Sequence, residues 1–61
     1  MPAREDSYLV QGPDGTWVTV TARTNRGALR RYLVNYPRVQ GLVAVKLRGS
    51  QEIPICYKVD R

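Results

Sequence analysis

Apolar and polar residues alternate from Ser7 to Gln11 and again from Thr16 to Ala22, on either side of Gly12-Pro13-Asp14-Gly15. A period of two predicts strands, and the break between them predicts a tight turn. Pro13 presets φ for the first turn position, Asp14 tolerates the second, and Gly15 supplies the positive φ that closes the turn. The second segment is rich in strand-favouring types: Trp17, Val18, Thr19, Val20 and Thr21. After Ala22 the period changes. Leu29, Tyr32, Leu33 and Tyr36 recur at helical spacing and predict a helix with those four facing the core. Thr24, or Asn25 beside it, is the expected N-cap, and Pro37 stops the helix after Tyr36. Gly27 falls in the first turn, on the expected outer surface with Val34. Alternation then returns over Gly41–Arg48 and Glu52–Val59, around Gly49-Ser50-Gln51.

The order is therefore ββαββ, an α+β fold. The expected architecture is a four-stranded, fully antiparallel sheet in the order 2-1-3-4 with the helix packed on one face. Pro54 has no N–H, so it belongs on an edge strand, which suits the fourth strand in this order. Residues 7–61 read as one domain. Residues 1–6 read as a flexible N-terminal arm in which Arg4, Glu5 and Asp6 nearly cancel in charge.

The turn fixes a register. A type I turn with a bulge at Gly15 sets Gly12 against Thr16, so Gln11 opposes Trp17, Val10 opposes Val18, Leu9 opposes Thr19 and Tyr8 opposes Val20. Opposed residues share a face. Tyr8, Val10, Val18, Val20 and Ala22 then lie under the helix, while Leu9, Gln11, Trp17, Thr19 and Thr21 lie on the other side. For the second pair, a two-residue loop would mix the faces. A three-residue loop pairs Leu47 with Ile53, Val45 with Ile55 and Val43 with Tyr57, and makes a coherent core set. Leu42, Ala44, Lys46, Arg48, Pro54, Cys56 and Lys58 become its outer face.

Composition narrows the chemistry. The chain of 61 residues has one cysteine, Cys56, and no histidine. No internal disulfide and no Cys/His metal site is expected, and no cofactor. Glu5, Asp6, Asp14, Glu52 and Asp60 are spread over the arm, the turns and the terminus, so no carboxylate pair is set up for hydrolysis. Cys56 without a base or a resolving partner reads as an inert small residue. Asn25-Arg26-Gly27-Ala28 matches no phosphate-binding fingerprint. A non-enzymatic protein is expected. No apolar run approaches the roughly 20 residues of a membrane span, and no signal-peptide core precedes Ser7. With a lone thiol, this points to a reducing, cytoplasmic setting and no membrane.

Ten Lys and Arg against five Asp and Glu leave a net charge of +5. That excess favours contact with something acidic. Two surfaces are candidates. One is the helix-free sheet face, where Trp17, Leu9 and Thr19 stand among Lys46, Arg48 and Lys58, with Leu42 nearby. The other is the helix surface with Arg23, Arg26, Arg30 and Arg31, suited to phosphate or carboxylate. A domain of this size buries only about 60% of its unfolded surface, so a homodimer is a further expectation. It would form through the sheet face or through edge strand 16–22, which has neither Pro nor charge to block pairing.

The succession Tyr8-Leu9-Val10, Val20-Thr21-Ala22, an Ala28-x-x-Arg31 helix, Gly41-Leu42-Val43 and Tyr57-Lys58 resembles small phage and mobile-element accessory proteins, including anti-CRISPR proteins built from a sheet and a single helix. The resemblance spans Tyr8–Lys58. It implies a protein that docks on a host protein or nucleoprotein complex and inhibits or redirects it, in the host cytoplasm. The chain also resembles, more distantly, integrase arm-binding domains, in which a sheet reads DNA. Those place three strands before the helix, and this chain has two. The two expectations are thus an inhibitor or adaptor acting on a protein partner, and a regulatory protein binding DNA or RNA directly.

Overall fold

The computed structural model describes residues 4–60. Its elements run β1 (Asp6–Gln11), β2 (Trp17–Ala22), α1 (Asn25–Asn35), β3 (Gly41–Leu47) and β4 (Ile55–Val59). All neighbouring strands are antiparallel, and the sheet order is β2-β1-β3-β4. The fold is α+β, as the alternation predicts.

The hairpin between β1 and β2 forms in the expected register, with Gln11 opposite Trp17 and Tyr8 opposite Val20. Gly15 has φ +86° and donates to the Gly12 carbonyl at 3.0 Å, and Gly12 N donates to Thr16 O at 3.3 Å. The Asp14 carboxylate accepts from Thr16 N at 3.1 Å, which closes the turn from its side chain. Gly12 is itself buried, because the Tyr32 hydroxyl rests where its Cβ would be. Strand β1 starts at Asp6, which faces Ala22, and Glu5 is ion-paired to Arg31. Glu5 and Asp6 of the expected arm are thus joined to the domain, and residues 1–3 lie outside the described residues.

Thr24 is the N-cap, its Oγ1 accepting from Gly27 N at 3.0 Å. The helix ends at Asn35, with Tyr36 N still bonded to Tyr32 O before Pro37. Its buried stripe is rotated from the expected one. Ala28 and Tyr32 are buried, Leu29 and Leu33 are only half-buried, and Tyr36 is exposed and packs its ring on Tyr32 at 4.8 Å. Small Ala28 sits at the centre because it lets the helix approach the sheet closely. Gly27 does not face outward as expected: a Cβ there would meet Thr24 Oγ1 and the Ala22 methyl.

The core comprises Tyr8, Val10, Val20, Ala22, Ala28, Tyr32, Val43, Val45 and Val59. The helix packs on β2, β1 and β3 and does not extend over β4, where Val59 is buried in the core but Ile55 is not. The register of the second pair follows expectation at Val45–Ile55 and Val43–Tyr57. The pairing stops there, three residues short of the predicted start at Glu52. Leu47 and Ile53 are exposed rather than core, Ile53 to 89%, and Ile55 is half-exposed. Nothing lies above this end of the sheet to cover them. Residues 48–54 form a loop in which Ser50 N reaches Leu47 O. Among the described residues no helix is long and apolar enough to cross a membrane.

Candidate partner-binding face

The face away from the helix is built by strand parity. One row crosses the whole sheet as Trp17, Gln11, Ala44 and Cys56, and the next contains Thr19, Leu9 and Lys46. Leu42 opposes Lys58 beyond the first row. With strands about 4.8 Å apart, Trp17 on β2 and Cys56 on β4, the two ends of the first row, stand roughly 14 Å from each other. The expected residues Trp17, Leu9, Thr19, Lys46 and Lys58 are therefore on one face, with Arg48 one residue past the end of β3. Trp17 is 42% exposed and Leu42 64% exposed, while Leu9 is half-buried beneath its neighbours.

The cations of this face differ in freedom. Lys46 is half-buried, and its Nζ donates to the Ser50 carbonyl at 3.2 Å, which ties it to the β3–β4 loop. Arg48 and Lys58 are exposed. Among the described strand residues of this face there is no carboxylate: Ser7, Leu9, Gln11, Trp17, Thr19, Thr21, Leu42, Ala44, Lys46, Cys56 and Lys58 complete it. Apolar side chains and cations therefore share the strand surface, and the carboxylates of Glu5 and Asp60 stand only at its margins, one residue before β1 and one past β4.

The helix candidates fall elsewhere. Arg26 and Arg30 are exposed one turn apart, Arg23 is exposed just before the cap, and Val34 continues the stripe at 79% exposure. Arg31 is engaged within the fold. It pairs with the Glu5 carboxylate at 2.7 Å and donates to Thr21 Oγ1 at 3.3 Å. Thr21 points away from the helix, so the Arg31 side chain wraps around the open side of β2 to reach it. That contact depends on a tertiary crossing that no local pattern announces. The two groups of cations stand on opposite sides of a molecule only 15 Å thick, so one flat partner surface touches one group or the other.

Sequence reasoning missed the apolar end of the helix side, formed by Leu47, Ile53 and Ile55, and a shallow cleft where Pro13 and Asp14 meet Tyr32, Tyr36 and Val39. The Tyr32 hydroxyl has its pKa raised above 10.0, first by burial and then by the Asp14 and Tyr36 charges. Cys56 is exposed on β4. Among the described residues no three His, Cys, Asp or Glu side chains gather as metal ligands. Comparison with protein families, with curated proteins and with solved structures finds no match for this chain.

Proposed function

We propose that this chain is a small non-enzymatic binding protein that docks on an acidic surface of a partner protein or nucleoprotein complex through its helix-free sheet face. It works by occupancy, as an inhibitor or adaptor. The observation that carries the reading is the exposure of Trp17 and Leu42 on a strand face whose only charges are cations. Exposed apolar groups ringed by polar ones mark contact sites, and a Trp anchor commonly supplies a large share of binding energy. The face has one aromatic ring and two leucines. A track for single-stranded nucleic acid stacks successive bases on several aromatic side chains, so the aliphatic content favours a protein surface.

Affinity capture from lysate, with and without nuclease, tests this. The expected result is a partner that survives nuclease and is lost, or bound at least about tenfold more weakly, with Trp17→Ala, in line with the loss of a hot-spot side chain. Binding that Trp17→Ala leaves untouched removes the sheet face from the account. Loss of every partner on nuclease treatment gives the face to nucleic acid, and affinity then falls steeply as salt rises.

A further inference from the structure

The cleft between the first turn and the end of the helix is separate from the sheet face. It lies on the helix side, lined by Pro13, Asp14, Val18, Tyr32, Tyr36 and Val39, and has a volume of about 280 Å³. Small-molecule pockets begin near 300 Å³, so this one has room for a single long side chain rather than a cofactor. Strand parity turns Val18 toward the helix, opposite Val10. One helical turn separates Tyr32 from Tyr36, and their rings pack at 4.8 Å with 32° between the planes. Tyr32 is buried and Tyr36 is exposed, so Tyr36 offers the accessible ring.

Three features of this cleft attract positive charge. The Asp14 carboxylate accepts from Thr16 N through Oδ1 at 3.1 Å, and a carboxylate has a second oxygen for a further donor. The last turn of α1 contains no basic residue, so none there offsets the partial negative charge of a helix C-terminus. The faces of the two tyrosine rings carry the negative side of the aromatic quadrupole. Among the described residues no Lys or Arg lines the cleft, and Arg38 lines the adjoining depression with Asn35 and Pro37. The Tyr32 hydroxyl reports the same field: after burial, the Asp14 and Tyr36 charges raise its pKa. In a chain of net charge +5, this spot is locally negative.

We infer that the cleft binds an arginine side chain presented by a partner polypeptide, its stem against Pro13, Val18 and Val39 and its guanidinium between the Asp14 carboxylate and the Tyr36 ring. Charge complementarity selects a cation, and the apolar lining selects one carried on a hydrocarbon stem. The pairing of a flat ring with a carboxylate selects arginine over lysine. A guanidinium stacks its plane on an aromatic face while its edge donates N–H groups to the carboxylate, whereas an ammonium is compact and strongly hydrated. A phosphate group is repelled by Asp14. The inference does not rest on the sheet-face reading, because parity places Trp17 on the opposite face from Val18.

Amide spectra of the isotope-labelled chain, titrated with the acetylated, amidated tripeptide Gly-Arg-Gly, test it. The expected result is saturable shifts at Asp14, Gly15, Tyr32, Tyr36 and Val39, with Leu42, Lys46 and Lys58 still. The same tripeptide with norleucine or lysine at its centre is expected to bind more weakly, as is free arginine, whose own carboxylate meets Asp14. Asp14→Asn keeps an acceptor for Thr16 N and is expected to weaken binding about tenfold, the scale of one charge-assisted hydrogen bond. Tyr36→Leu keeps an apolar contact and is expected to weaken it about threefold, through the lost cation–π term. Trp17→Ala, which tests the sheet face, is expected to leave this titration unchanged. No saturable shift at concentrations well above the millimolar range overturns the inference. So does a norleucine tripeptide, a lysine tripeptide or free arginine that binds as tightly, or a folded Asp14→Asn chain that binds as wild type does. Binding that appears only in Arg38→Ala assigns the cleft to the chain's own arginine and likewise overturns it.

Discussion

Trp17 and Tyr32 are the two large aromatic residues whose positions matter most, and they do opposite things. Trp17 is placed by parity on a face with no helix above it, so its truncation acts on binding. Trp17→Ala is expected to cost less stability than truncating a fully buried side chain such as Val45, because the ring is already 42% exposed, as read by urea denaturation. Tyr32 anchors the helix against the hairpin turn, with its hydroxyl over Gly12. Its raised pKa has a definite consequence. The unfolded phenol ionises near 10.0 and the folded one above it, so the unfolded state releases its proton first as pH rises. Stability is full below pH 10 and falls above it. Tyr32→Phe is expected to flatten that alkaline fall in denaturation measured from pH 8 to 11. A wild-type profile already flat there contradicts the burial assigned to this hydroxyl.

At the scale of elements, the first hairpin was legible residue by residue because its turn chemistry is local: Pro13, Asp14 and Gly15 specify the turn, and the turn specifies the register. The N-cap was legible for the same reason. Thr24→Ala is expected to cost about 1 kcal/mol, a shift of about 4–8 °C in the thermal midpoint of a domain this size. The rotation of the helix was not legible, since the bulky pattern Leu29, Leu33 and Tyr36 outweighs Ala28 on paper. Close approach to the sheet rewards the small residue instead. The alternation places the start of β4 too early: Ile53 continues the apolar pattern, yet the helix does not extend over β4 and nothing rewards burying it there. Val45 and Ile53 make the contrast measurable. Val45→Ala leaves a cavity in a fully buried site and is expected to cost about 2 kcal/mol. Ile53→Ala is expected to fall within about 0.5 kcal/mol of wild type. Of the site, the sheet face was legible through parity. The engagement of Arg31 was not, because Glu5 and Thr21 meet it only after the chain has folded back on itself.

The whole molecule is a thin plate with a basic, partly apolar sheet on one side and an arginine-bearing helix on the other. For 61 residues the expected stability is roughly 3–9 kcal/mol, so a loss of about 2 kcal/mol at Val45 is a large fraction of the total. The plate form also decides what a partner can touch. A docking surface meets Trp17, Leu42 and Lys58 together, or Arg26 and Arg30 together, since the sheet lies between the two groups. Amide chemical-shift mapping of the isotope-labelled chain, with the captured partner titrated in, reads this choice directly. The account predicts shifts concentrated at Leu9, Trp17, Thr19, Leu42, Lys46 and Lys58, with the helix amides still. Shifts concentrated at Arg23, Arg26 and Arg30, with Trp17 and Leu42 unmoved, would contradict it.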